Sequence, residues 1–153
     1  MHSLVRRYLK TGVAFLGVGL AIGLWLIVAR ELGAGYVAPH AVSAHAHAIL
    51  VGFVMLMIQG VALWLFPRPA KEDTRYRPAL AEAAYWLVTL GTAARVAGEV
   101  ARAVTTSAAP WLRWTIVLAG AAQVAGLGLF FHTMWSRIRP VGSRAREAAG
   151  ERF

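Results

Sequence analysis

The chain has 153 residues, of which 58% are apolar and only 15% charged, with a formal charge of +9. A soluble domain usually carries about a quarter charged residues; here the basic residues stand between long apolar runs, so no nucleic acid partner is implied by the charge. Cysteine is absent, which excludes disulfides, thiolate metal sites and thiol catalysis.

Four stretches are long enough to cross a bilayer core, which takes roughly 20 residues of helix. After a basic start (Arg6, Arg7, Lys10), the 19 residues from Thr11 to Ala29 hold no charge and predict a helix over 11–30. A cleaved signal peptide shares such a start, but its apolar core is shorter and here three more spans follow. The run from Leu32 to Pro67 is also uncharged; Pro39 suits a first helical turn and the expected helix covers 40–66. The third, over 78–105, is free of charge only from Ala83 to Ala94. The fourth, over 114–138, follows Pro110 and is uncharged from Thr115 to Ser136. Backbone groups cannot stay unpaired in hydrocarbon, so these spans are expected as helices. The expected fold is all-α, an integral membrane four-helix bundle over 1–139, followed by a basic, mobile tail over 140–153.

Lys and Arg set the expected orientation. The N-terminal segment holds Arg6, Arg7 and Lys10, the segment between the second and third helices Arg68, Lys71, Arg75 and Arg77, and the tail Arg137, Arg139, Arg144, Arg146 and Arg152. Against these twelve stand Arg30, Arg95, Arg102 and Arg113. The bias puts both termini on the cytoplasmic side of a multi-pass protein of the cytoplasmic (inner) membrane. Two aromatic belts fit: Tyr8, Trp64, Tyr85, Trp86 and Trp135 inside, Trp25, Tyr36, Trp111 and Trp114 outside. Small residues, including the Gly19/Gly23 pair and Gly120, Ala122, Gly126 and Gly128, offer close helix packing.

Ionisable groups within spans are costly and point to function. On the second helix, His40 and His47 lie about 20° apart at 100° per residue, while His45 points about 160° away from His47. One helix therefore cannot clamp a single ion with all three. Either His47 or His45 can serve as an axial haem ligand, His40 and His47 can share a metal completed elsewhere, or the histidines bond only backbone, water and headgroups. On the third helix Arg95, Glu99 and Arg102 share a face, and Arg95 with Glu99 can form an internal pair. The pair lies in the same outer third as His45 and His47, where Arg95 suits a propionate and Glu99 suits a second acceptor behind a histidine. His132 on the fourth helix lies on the order of 20 Å from the level of His47, too far for both to ligate one haem. Gln59 and Gln123 offer hydrogen bonds between helices. No phosphate loop, His-Glu-x-x-His or nucleophile with base and acid occurs, so the chain is not expected to be catalytic alone.

The segment His45-Ala-His47, Gly52-Phe53, Gln59-Gly60-Val61-Ala62 and Leu65-Phe66-Pro67-Arg68 resembles the second helix of the haem-copper oxidase catalytic-subunit superfamily. It is similar also to the short four-helix relatives of that subunit and to NnrS-type haem membrane proteins tied to nitric oxide metabolism. The resemblance covers about 30 of 153 residues. It implies a low-spin haem b on His47 or His45. The superfamily's remaining ligands lie on later helices that this chain lacks, so it implies no oxygen or nitric oxide reduction by this chain alone. The implied role is that of a small component of a respiratory or nitric-oxide-handling system. It would be a haem-binding remnant, a homodimer sharing haem through two copies of His47, or an accessory subunit of a larger membrane oxidoreductase. A cofactor-free structural subunit and a histidine metal-binding or sensor protein are the alternatives.

Overall fold

The computed structural model describes residues 3–33, 38–67, 77–105 and 109–138, with positions 142, 145, 146, 149 and 150 beyond them. Tyr36, Arg68, Lys71, Asp73, Arg75, Arg139, Arg144 and Arg152 lie outside the described residues. Four helices carry the fold: α1 (Ser3–Glu31), α2 (Pro39–Leu65), α3 (Pro78–Val104) and α4 (Pro110–Met134), the last continued by a tight 3₁₀ turn at Trp135–Arg137. No strand occurs among the described residues. α1, α2 and α4 are long and apolar enough to cross a membrane, by length and composition. α3 is equally long but carries Glu82, Arg95, Glu99 and Arg102.

The boundaries have local causes. Pro39, Pro78 and Pro110 each stand in a first helical turn, where the missing N–H costs nothing and the fixed φ fits the helix. α1 stops at Gly33, whose φ of 61° is a left-handed cap. α2 stops where Phe66 turns extended, as a residue before proline tends to. α1 begins at Ser3 rather than near residue 11, because Arg6, Arg7 and Lys10 are good helix formers and Val5 and Tyr8 are buried. α4 likewise begins at Pro110, ahead of the expected 114.

Within α2 the stretch Ala48–Met55 is π-helical. Ala44, Ala48, Gly52 and Leu56 are all buried and recur every four residues. In an α-helix each such step overshoots by about 40°, so three steps drift by about 120°. The wider π turn absorbs that drift and keeps the four residues on one face.

The packing differs between the two ends, which take their names from His47 and Arg137. Near Arg137 the apolar core draws on all four helices, with Val5 and Tyr8, Leu56 and Leu63, Tyr85 and Val88, Phe130 and Met134. Near His47 it consists of Ile22, Ala44, Ala48 and Val96, from α1, α2 and α3 alone. α4 packs chiefly along α3, their backbones drawn together at Gly91 and Gly126. A Cβ on Gly91 would lie 2.9 Å from the Ala119 carbonyl oxygen, and one on Gly126 would lie 2.9 Å from the Val88 nitrogen. Of the expected α1 pair, Gly19 admits Ile49 and Gly23 admits the His45 ring.

Two expectations are corrected. Tyr8 and Tyr85 are not belt residues: both are buried, with rings edge to face at 5.0 Å. The Tyr8 hydroxyl donates to the Ala81 carbonyl and that of Tyr85 pairs with Thr11. The indoles of Trp64, Trp86 and Trp135 at one end, and of Trp25, Trp111 and Trp114 at the other, do face outward. Arg137 is not a tail charge. It is 5% exposed and its guanidinium donates to the carbonyls of Leu63, Phe66 and Pro67, closing the end of α2.

Candidate functional site

The half of α2 preceding the π segment is regular helix, so its histidines take the azimuths that 100° per residue dictates. His45 faces α1. Its Nδ1–H donates to the Gly19 carbonyl at 2.8 Å, and the missing side chain of Gly23 makes room for the ring, whose Cε1 lies 2.9 Å from where a Cβ would stand. His47 faces α3. Its Nδ1 lies 2.8 Å from the Ser43 carbonyl oxygen. A carbonyl only accepts, so Nδ1 carries a proton, and in the neutral ring Nε2 then holds the lone pair. Nε2 has no partner among the described residues, and the ring is 24% exposed.

Behind His47 stands a buried carboxylate. Glu99 is 3% exposed; its Oε1 accepts the Ser43 hydroxyl at 2.8 Å and the Arg95 Nε–H at 3.2 Å. Its Oε2 is buried and unpaired, 3.7 Å from His47 Nδ1. Arg95 reaches on to α4, donating through Nη1 to Gln123 at 3.3 Å, and Gln123 in turn donates to the Thr92 hydroxyl at 3.0 Å. Gly120 permits this crossing, for a Cβ there would lie 2.9 Å from Arg95 Nη1. One chain of polar contacts therefore runs His47–Ser43–Glu99–Arg95–Gln123–Thr92 across α2, α3 and α4. An internal charge pair with further hydrogen bonds is how a buried acid and base are tolerated.

Of the expected site residues, the fold brings together His47, Arg95 and Glu99. His45 belongs to the α1–α2 seam instead. His40 is half-buried and makes no hydrogen bond or ion pair among the described residues. No group of three or more His, Cys, Asp or Glu gathers among the described residues, so a metal on His40 and His47 finds no third donor there. His132 is exposed, on α4. Gln123 is the interhelical bond expected of it, whereas the Gln59 amide is buried with neither atom paired among the described residues. Ser43 and Thr92 are site members that the sequence pattern did not single out. Ser43 precedes His47 by one helical turn, which places it beside that ring, and this spacing was the available signal.

No protein-family model, curated protein or solved structure matches this chain. The arrangement at His47 therefore stands on its chemistry. A neutral imidazole with its proton committed to Nδ1 presents Nε2 as an axial donor. Arg95 keeps one terminal nitrogen, Nη2, without a partner among the described residues, a donor suited to a carboxylate. His45 also commits Nδ1 to a carbonyl, but it faces α1, away from Arg95 and Glu99.

Proposed function

We propose that this chain is a small multi-pass component of the cytoplasmic membrane, serving a respiratory or nitric-oxide-handling system, with both termini on the cytoplasmic side. In this reading it binds haem b through His47. The observation that carries it is the His47 ring: proton fixed on Nδ1, Nε2 unpartnered among the described residues, and part of the ring exposed beside the buried Glu99 and its half-buried partner Arg95. The resemblance of α2 to the second helix of haem-copper oxidase catalytic subunits implies haem on His47 or His45, and so admits the same residue. Membrane insertion is supported by α1, α2 and α4, most of whose apolar length lies on the surface of the chain, and by the outward tryptophans. The bound haem would supply one-electron chemistry. His47 of a second copy, or a histidine of a larger oxidoreductase, would help to hold it, so the chain is a haem-bearing partner rather than an independent catalyst.

The test is an absorption spectrum of detergent-purified protein, oxidised and dithionite-reduced, with a pyridine haemochrome on the same sample. Stoichiometric b-type haem that is lost in His47→Ala and kept in His45→Ala and His132→Ala is the expected result. A second reading, a cofactor-free accessory subunit, draws on α4. There Ala121, Ala125 and Gly128 form an exposed small-residue stripe, and Gly128 has open space where a Cβ would stand. Protein that stays colourless after haem is supplied selects this second reading.

A further inference from the structure

We infer that Glu99 is the positioning residue for His47: its unpaired Oε2 is an anionic acceptor for the His47 Nδ1–H, engaged when a ligand occupies Nε2. The inference rests on the reading of His47 as an axial ligand. Three acceptors face one proton. The nearest is the Ser43 carbonyl at 2.8 Å, which already serves the α-helical ladder. The Ser43 hydroxyl follows at 3.3 Å, its own proton given to Glu99. The third is a carboxylate oxygen at 3.7 Å, the only anionic one of the three, buried and with no other donor among the described residues. A rotation of the ring that moves Nδ1 by about 1 Å brings it to hydrogen-bond distance of the carboxylate.

The direction of that movement follows from charge. Coordination at Nε2 draws electron density from the imidazole and makes Nδ1–H a stronger donor, which favours an anionic acceptor over a peptide carbonyl. Glu99 is prepared for this role. Ser43 and Arg95 both hold Oε1, Gln123 holds Arg95, and Thr92 orients Gln123. Oε2 is the one carboxylate oxygen left for the ring. The carboxylate thereby strengthens the Nε2 donor and favours the more highly charged, ferric state of a haem.

The experiment uses full-length protein in nanodiscs with haem b as the probe. Glu99→Gln keeps the shape and removes the charge. The expected result is a loss of about ten-fold in haem affinity and a higher midpoint potential, with helix content unchanged. Wild-type affinity and potential in this variant overturn the assignment. Should Glu99→Gln fail to accumulate, Glu99→Asp withdraws the carboxylate by one methylene and is expected to move both readouts the same way; wild-type values there overturn the assignment equally. If the wild-type chain takes up no haem, the haem reading falls, and the pairing is judged by ¹⁵N-histidine NMR with Zn²⁺ as the ligand of Nε2. There the His47 Nδ1–H signal, identified by its loss in His47→Gln, should move on zinc addition in the wild type and move less in Glu99→Gln. An equal response in the two, or uptake of neither haem nor zinc, refutes the pairing.

Discussion

Single side chains, or their absence, decide which surfaces of these helices meet. Gly126 and Gly91 touch backbone atoms of the facing helix, which cannot swing aside as a side-chain tip does, whereas Gly17 and Gly128 face open space. Gly126→Val and Gly91→Val are expected to destabilise by about 2 kcal/mol through overpacking. Gly17→Ala and Gly128→Ala should stay within about 0.5 kcal/mol of wild type, unless a second chain covers α4, in which case Gly128→Ala weakens assembly. Unfolding in mixed detergent micelles, with sedimentation of the same variants, reads both quantities. The glycines were visible in the sequence, but which of them touch was not, since a small residue carries no mark of its neighbour. The same holds at the site. The opposed directions of His45 and His47 follow from helical geometry alone, while the contact of His47 with Glu99 depends on how α2 and α3 pack. Tyr8 and Tyr85 misled because a phenol near a helix end suits a headgroup layer as well as a buried bond to the Ala81 carbonyl or Thr11.

At the scale of the element, α2 is the unusual member. Its π stretch comes directly after His47, and the four-residue recurrence of Ala44, Ala48, Gly52 and Leu56 was its trace in the sequence. That trace is hard to see in a segment where nearly every residue is apolar and no polar face marks the phase. The stretch behaves as an α-helix with one residue too many. Removing Leu50, which is exposed, returns the buried spacing to four, three and four, the α-helical pattern. Deletion of Leu50 should therefore leave both halves of α2 on their faces and keep haem binding. Deletion of Leu90, equally exposed but within regular α3, should rotate Arg95 and Glu99 by about 100° relative to Thr89 and the residues before it and abolish binding. Haem content and circular dichroism of the two deletions compare them directly. The helices themselves, by contrast, were legible to within a few residues at most ends. The exception was the start of α1, where a basic segment read as a flank is a turn and more of helix.

For the whole molecule, the end near Arg137 is the tied one. Arg137 joins α4 to the last carbonyls of α2, and Arg7 pairs with Glu82 at 2.7 Å between α1 and α3. Arg137→Ala strips the donor from three carbonyls and should cost at least about 3 kcal/mol, since a hydrogen bond to a charged group is worth about 1.5–3 kcal/mol and the two strongest alone reach that figure. Arg137→Lys, with a single point of attachment, should recover part of it, and resistance to unfolding by dodecyl sulfate ranks the variants. Arg7 and Glu82 are both well exposed, so Glu82→Gln should change little. Because the chain lacks cysteine, single cysteines in place of Ser3, Gly33, Ala109 and Ala145 give an unambiguous topology test. An impermeant maleimide applied to intact cells should label the second and third and spare the first and fourth. Opposite labelling would reverse the orientation argued from Lys and Arg. The unequal ends also divide the molecule's motion. Among the described residues the Pro110 half of α4 leans chiefly on α3, so it can part from its neighbour while the other end stays closed, much as one tine of a fork moves against a fixed handle. Amide exchange should accordingly be slowest around Phe130 and Met134 and fastest toward Pro110. The Arg95–Gln123 bond, which bridges that gap, would then break and re-form without the rest of the fold taking part.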